Sequence, residues 1–531
     1  MLNSFDYVVI GAGSAGCVIA NRLSADGTTS VALLEAGASD WNPWIHVPVG
    51  YFKTMHNPST DWCYETEPDP GLNGRSLKWP RGKVLGGSSS INGLLYVRGQ
   101  HQDYDRWAEL GCSGWSYDHV LPYFRKAENQ SRGESDYHGV DGPLHVSDVS
   151  FKRDICDDFI KGVAELGTPL SDDNNAADQE GVGYFQLTAH KGRRCSTSVA
   201  YLKGIKNRPN LTILTHAMAE RVGFENGRAH TVHIKHKGVP RELTANREII
   251  LCGGAINSPQ LLQLSGIGPG QLLQDHGIEV FVDSPDVGSN LQDHLQIRSV
   301  YKTTSANTLN DELSNPFQKM RAGLTYMTNR SGPLSMAASQ VYAFCRTRLS
   351  NERPDIQYHF QPLSGDSPGE GLHPFSAITA SVCQLRPESR GTIMIKSPDA
   401  AVHPTINPNY LSTELDCQTA VESIRHTRRV MESNSMRAHI KEEFVPDPHA
   451  QSDEELLNQA REISNTIYHP VGTCRMGADD KSVLDPELRV RGVAGLRVVD
   501  ASVMPEIISG NTNAPTIMIA ERAADLILGH V

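Results

Sequence analysis

Three glycines, Gly11, Gly13 and Gly16, stand at the spacing that lets a strand turn sharply into a helix. Glycine is frequent in this chain, 46 of 531 residues, so the spacing alone is a weak signal. Its setting strengthens it. Tyr7-Val8-Val9-Ile10 is a short apolar run of the buried-strand kind, and Cys17 to Leu23 follow the turn with a helical pattern. Ser30 to Leu34 form the next apolar run, and Glu35 closes it 19 residues after Gly16. In this order the first glycine permits the tight turn, the second admits a pyrophosphate to the backbone, and the third lets helix and strand pack closely. Ser14 and Ala15 lie at the helix start, where free N–H groups and the dipole receive phosphate charge. Glu35, followed by Ala36, can accept from ribose hydroxyls and disfavours a 2′-phosphate, so NADP is not expected. The motif alone does not separate FAD from NAD.

A second segment runs Gly82-Lys83-Val84-Leu85-Gly86-Gly87-Ser88-Ser89-Ser90-Ile91-Asn92-Gly93. Its small residues suit a backbone that must come close to a flat cofactor. A flexible linker is the poorer reading, because Trp79-Pro80 and the apolar Ile91, Leu94 and Leu95 flank it. Other chemistries find no support. There is no H-E-x-x-H, and His294, His403 and His469 have no ligand-like spacing, so no metal is expected. The ten cysteines are scattered without a C-x-x-C pair, which speaks against zinc and for a reducing compartment.

The elements that must position these residues are legible in outline. A length of 531 residues suggests two domains, or one with a large insert. Glu248-Ile249-Ile250-Leu251 is a further strand before Cys252-Gly253-Gly254-Ala255. Between about 300 and 460, alternating stretches such as Asp355 to Phe360 and Gly391 to Ile395 fit antiparallel strands. Strand and helix then return, with Leu496 to Val499 and a helix from about Pro515 to Ile527. The fold class expected is α/β: a discontinuous Rossmann-type domain over 1–155, 195–298 and 465–531, and a second domain with an antiparallel sheet and flanking helices over 156–194 and 299–464.

Charge narrows the function further. The chain has 49 basic and 61 acidic residues, a net charge of −12, which argues against a nucleic-acid partner. No apolar run reaches the roughly 20 residues of a membrane span. The start, Met1-Leu2-Asn3-Ser4-Phe5, lacks the charged region of a signal peptide. A cytoplasmic location is expected, with peripheral contact at the inner face of a membrane left open.

The Gly82–Asn92 segment, with Tyr96, Gly99 and Asp105 after it, resembles the first signature of the glucose–methanol–choline oxidoreductases. Gly254-Ala255-Ile256-Asn257-Ser258-Pro259, with Ser265-Gly266-Ile267-Gly268, resembles the second. Gly288-Ser289-Asn290-Leu291-Gln292-Asp293-His294, Tyr468-His469-Pro470-Val471-Gly472-Thr473-Cys474 and Asn511-Thr512-Asn513-Ala514-Pro515-Thr516 also fit. The impression is of the bacterial branch of alcohol- and choline-dehydrogenase-like members.

The resemblance implies FAD, bound in part by Gly82, Gly86, Gly87, Ser88, Asn92, Gly93, Leu95, Asp500, Ala501, Asn511 and Thr512, with the Gly-Ser segment beside the isoalloxazine ring. It implies oxidation of a primary alcohol to an aldehyde by hydride transfer to flavin N5. His469, one of 21 histidines and unremarked by spacing alone, matches the catalytic histidine, and Asn513 matches its partner. Asn511 is the rival for that second role, against a bland reading as a helix-cap residue. Some relatives join the flavin to a histidine where this chain has Ile91, so the FAD is expected to be non-covalent. Gln340 stands where choline-oxidising relatives place a Glu, which implies an uncharged alcohol rather than choline, with Tyr468 beside it. Tyr342, Phe344, Tyr358 and Phe360 read as pocket or core. Electrons would pass to a quinone-type acceptor or to oxygen. Hydroxynitrile lyases and fatty-acid photodecarboxylases share the family, and the oligomeric state is not legible.

Overall fold

The computed structural model describes residues 3–304, 308–350, 352–366 and 371–530. Strand β1 (Ser4–Ile10), helix α1 (Ser14–Leu23) and strand β2 (Val31–Leu34) open the chain. Helix α2 (Asp154–Glu165) and strand β3 (Gly181–Tyr184) come next. Strands β4 (Leu211–Leu214), β5 (Ala217–Glu225), β6 (Arg228–His236) and β7 (Val239–Leu251) lead into helix α3 (Gly254–Leu264). Strand β8 (Leu295–Thr303), helix α4 (Pro316–Asn329) and strands β9 (Val341–Cys345), β10 (Ile356–Gln361) and β11 (Ala377–Gln384) follow. Helix α5 (Glu414–Met431), strands β12 (Ile440–Val445), β13 (Ser464–Thr466) and β14 (Leu496–Val498), and helix α6 (Asn513–Leu528) complete the set used below.

These strands form two seven-stranded sheets. The first has the order β4-β2-β1-β7-β6-β5, with β14 on β7. Its centre is parallel (β4, β2, β1, the end of β7, and β14), and β5, β6 and the start of β7 make an antiparallel meander. Val8, Val9, Leu33, Ile249 and Ile250 are fully buried, as expected of strands covered on both faces. Helix α1 packs on this sheet, and α6 packs on α1, tied to it by Arg22 and the buried Glu521 at 2.7 Å.

The second sheet, β12-β8-β11-β10-β9-β3 with β13 on β8, is antiparallel throughout. Alternation divides its faces. Tyr301, Val341, Ala343, Ile356, Tyr358, Phe360 and Val382 pack on Phe159 and Val163 of α2 and Val430 and Met431 of α5. Tyr342 and Phe344 turn to the other side and pack with Phe185 and Leu363. All four aromatics are therefore core residues.

The edges fall differently from the expected boundaries in two places. Residues 295–298 and 465–466, assigned by pattern to the nucleotide domain, pair within the second sheet. The C-terminal helix begins at Asn513, two residues before Pro515, because proline is tolerated within the first turn, where its missing N–H is not needed.

Candidate active site

One cavity runs from the end of β1 to the face of the second sheet. At the first end, Gly13 caps α1 without a side chain, and no acidic residue occupies the first turn, so the N–H groups of the helix start are open to an anion. Gly11 stands at φ +101, and a Cβ there would meet the Cys252 carbonyl at 2.5 Å. Gly87 nests against Gly13: a Cβ on Gly87 would lie 2.6 Å from the Gly13 Cα. The Gly86 N–H fastens the two loops by donating to the Ala12 carbonyl at 2.7 Å.

Gly11, Gly13, Ser14, Ala15, Glu35, Ala36, Gly82, Gly87, Ser88, Asn92, Gly93, Leu95, Asp500, Ala501, Asn511 and Thr512 all line this cavity. Gly16 and Gly86, expected among them, do not. Gly16 lies behind the loop, where a Cβ would strike the Gly11 carbonyl, and Gly86 serves the turn at φ +89. Glu35 accepts from the Ala12 and Gly37 N–H groups at 3.1 and 2.8 Å, against burial that pushes its carboxyl up to about 7. Asp500 accepts from the Gly254 N–H and the Ser258 hydroxyl at 2.8 and 2.6 Å, joining the start of α3 to the end of β14. Asn92 is held by Arg194, a buried side chain with no marker in the sequence, which donates to its Oδ1 at 2.6 Å and its carbonyl at 2.7 Å.

At the other end lies His469. Tyr468, which also lines the cavity, takes the left-handed conformation at φ +70, uncommon for a side chain of this size. Its carbonyl accepts from Arg81 at 2.7 Å, and the His469 N–H donates to buried Asp293 at 2.7 Å. The ring is fixed by a chain of hydrogen bonds that also assigns its protons. His294 Nε2 faces the Leu385 carbonyl at 2.9 Å, so that nitrogen is the donor. Burial holds His294 down to about 4, so its Nδ1 carries no proton and accepts from His469 Nδ1 at 3.0 Å. Burial first, then His294, His359 and Arg81, hold His469 well below the ordinary histidine value. Its Nε2 is therefore a free base at neutral pH, and it faces the Asn511 amide nitrogen at 3.1 Å. Gln357 donates to the Asn511 oxygen at 3.2 Å, which sets the amide's orientation.

Asn513, expected as the partner of His469, is not at that position. It is the first residue of α6, and its oxygen accepts from Ser14 at 2.8 Å, across the start of α1. Asn511, still in the preceding loop, reaches the histidine. Gln340 is likewise displaced from its expected place. It is fully buried on the α2 side, bonded to the Phe151 carbonyl at 3.0 Å and in contact with Cys156, while its neighbour Ser339 and Gln361 face the cavity. Gln340 lies just before β9 begins at Val341, where the alternation of the strand no longer sets the direction of a side chain. Sequence reading also missed His359, a cavity residue whose two ring nitrogens have no hydrogen-bond partner. Burial holds it down to about 3. The alternation of Asp355 to Phe360 could have flagged it as the polar position of a half-buried strand.

A dinucleotide cradle and an imidazole with an unprotonated Nε2 thus share one cavity. Residues 5–296 and 387–520 match the N- and C-terminal models of the GMC oxidoreductase family. The chain belongs to the GMC oxidoreductases. Over 530 residues, 99% of this chain and 96% of the relative, it is 43% identical to an alcohol dehydrogenase (acceptor) of Pseudomonas putida. It is 41% identical to a mitochondrial choline dehydrogenase of Mus musculus, over 99% of this chain and 90% of that one. Among solved structures, a pyridoxine 4-oxidase from Mesorbium loti superposes with a TM-score of 0.90 at 30% identity, covering 99% of this chain and all of that one. An Aspergillus oryzae formate oxidase variant studied for FAD modification gives 0.94 at 28%, covering 99% and 98%. The GMC fold is thus a Rossmann-type nucleotide domain joined to an antiparallel substrate-side sheet, and this family member acts as an oxidoreductase on CH–OH donors.

Proposed function

We propose that this GMC oxidoreductase oxidises a primary alcohol to an aldehyde with FAD, and that His469 removes the hydroxyl proton. The observation that carries the reading is the unprotonated Nε2 of His469, which meets the Asn511 amide in the same cavity as the dinucleotide cradle. Bound FAD supplies the two-electron sink for the hydride that leaves the carbinol carbon. The chain does the rest. Gly11, Gly13 and the start of α1 would receive the pyrophosphate, and Glu35 would meet the ribose. Asn511 points an N–H donor at the place where an alcohol oxygen would meet His469, so the amide steadies the alkoxide as the proton moves to Nε2. Ile91, buried in the cavity wall, has no nucleophile for a bond to the flavin, which supports non-covalent binding.

The two electrons and accompanying protons then go to an acceptor, for which we favour a quinone at a membrane surface. Among the described residues no helix is long and apolar enough to cross a membrane. Helix α4 instead exposes a stripe of Phe317, Met320, Leu324 and Met327, each more than 60% exposed. Lys319, Arg321 and Arg330 accompany it, with no acidic residue from 316 to 330. On a chain of net charge −12, a local apolar and basic face suits an anionic bilayer.

The test is anaerobic mixing of the holoenzyme with 1-hexanol, followed by reoxidation with a short-chain quinone or air. Loss of the oxidised flavin's visible absorbance, faster recovery with the quinone, and co-sedimentation with anionic vesicles are expected. Acid denaturation and filtration should leave colourless protein. A flavin that no primary alcohol reduces overturns the reaction, faster recovery in air overturns the acceptor, and yellow protein overturns non-covalent binding.

A further inference from the structure

Among the described residues, the substrate-side sheet carries a charge without a counterion. His294, at the start of β8, reaches His469; two and four residues on, Gln296 and Arg298 return to the same face by alternation, and both line the cavity. Arg298 pairs across the sheet with Ser381 of β11, which pairs with His359 of β10. Its residue is 8% exposed. A guanidinium has five N–H donors, and the one hydrogen bond found for this side chain is a long one, 3.4 Å to the Gly365 carbonyl. No carboxylate lies within ion-pair distance among the described residues. Asp366, whose field reaches it, is an exposed side chain bonded to His373 at 2.9 Å. Of the other buried arginines, Arg98 pairs with Glu128 at 2.8 Å and Arg497 with Glu248 at 2.7 Å, Arg194 donates to the Ile45, Ser89 and Asn92 oxygens, and Arg522 lies over the Trp115 ring.

Such a group is costly to keep. Burial disfavours the charged form, the first cause of its lowered pKa, and an unpaired guanidinium forfeits its strongest bonds. Those costs are offset when an anion enters the cavity, and a carboxylate matches the guanidinium fork with two parallel bonds.

We propose that Arg298 is the anchor for a carboxylate carried by the substrate at the end remote from its hydroxyl, so that the substrates are primary alcohols bearing a carboxylate. The inference rests on the alcohol-oxidising reading above and narrows its substrate class. Four residues of extended strand separate His294 from Arg298, about 13 Å, which the length of the guanidinium side chain shortens. Several carbons between hydroxyl and carboxylate span the remainder. The same charge repels a quaternary ammonium, so the choline of the dehydrogenases similar to this chain is a poor fit.

The experiment compares 6-hydroxyhexanoate with 1-hexanol as reductants of the holoenzyme under anaerobic conditions. The hydroxy acid should have the higher kcat/KM by roughly 10–100-fold, the worth of one charge-assisted pair, and mainly through KM. In Arg298→Leu the ratio of the two probes should fall toward one, and Arg298→Lys should recover part of it. Equal kcat/KM values in the wild type, or a ratio unchanged in Arg298→Leu, overturn the anchor while leaving alcohol oxidation standing. If the Leu variant does not hold flavin, the wild type still decides. Hexanoate should inhibit hexanol oxidation at least tenfold more tightly than hexanamide, and equal inhibition overturns the proposal. If neither alcohol reduces the flavin, the parent reading fails, and perturbation of the flavin spectrum by hexanoate but not hexanamide still reads the anion site by itself.

Discussion

The two sheets treat buried polarity in opposite ways. Around the nucleotide cradle, Glu35 and Asp500 each accept from several donors, and Asn92 is clasped by Arg194. Among the described residues, both nitrogens of His359, the Ser381 hydroxyl and the Gln357 amide oxygen on the cavity face of the second sheet are buried without partners, and Arg298 has one long bond. A region that holds the same group through every turnover can close its hydrogen bonds on itself. A region that must receive and release a ligand keeps valences open, at some cost in stability. The cradle is a socket; the second sheet is a receptor.

The largest effects should separate the regions outright. Gly87→Val places bulk where two backbones already touch, with even a Cβ 2.6 Å from the Gly13 Cα, so the loops must part. Purified Gly87→Val is expected to carry almost no flavin, judged by its visible absorbance. His469→Ala should bind flavin normally and yet reduce it roughly 10²–10⁴-fold more slowly with alcohol, as loss of a general base does. Normal flavin content in the first variant, or near-normal reduction in the second, would break the division of labour.

That division also explains what the sequence made legible. The cradle is written in glycines, and at Gly11 and Gly87 the absence of a side chain is itself the signal, because a Cβ would strike backbone. Its strand–turn–helix order could be read from apolar runs alone. The receptor face is written in parity and position. Gln340 and Ser339 are adjacent and lie just before β9, where strand alternation does not tell which one faces the cavity. Asn511 and Asn513 are two residues apart, and the helix start between them sends one amide to His469 and the other to Ser14. Arg298 gives no signal at all, since an arginine in a strand pattern is ordinarily read as exposed or paired.

The asparagine pair tests the border between the regions. Asn511→Ala removes the donor beside His469 Nε2, and loss of one such donor costs about 10²–10³ in the chemical step. Asn513→Ala should instead weaken flavin retention through the loss of its bond to Ser14, with a smaller change in the rate of reduction. Rapid-mixing rates beside flavin content distinguish the two. The reverse pattern would restore Asn513 to the role beside the histidine.

His294 should show the mildest effect and the most diagnostic one. It touches no reacting atom in the proposed mechanism; it is a positioning residue that accepts the Nδ1 proton of His469 and so keeps Nε2 free. In His294→Leu that bond is lost, and the neutral imidazole can place its proton on either nitrogen. A single hydrogen bond is worth about 0.5–1.5 kcal/mol, so reduction should slow only by roughly two- to tenfold. The pH profile carries the sharper reading. A base must be neutral to act, and burial, with His294 and His359 adding to it, keeps His469 well below 6.5. In the wild type, kcat/KM should therefore stay flat through neutral pH and fall only below the ordinary histidine range, where the proton is finally taken up. Removing His294 takes away one of the groups that depress His469, so the acid limb should move to higher pH in the variant. A merely structural role would lower the rate at all pH values alike and leave the limb in place. A wild-type acid limb at or above 6.5 would show that His469 is not held as a free base at all.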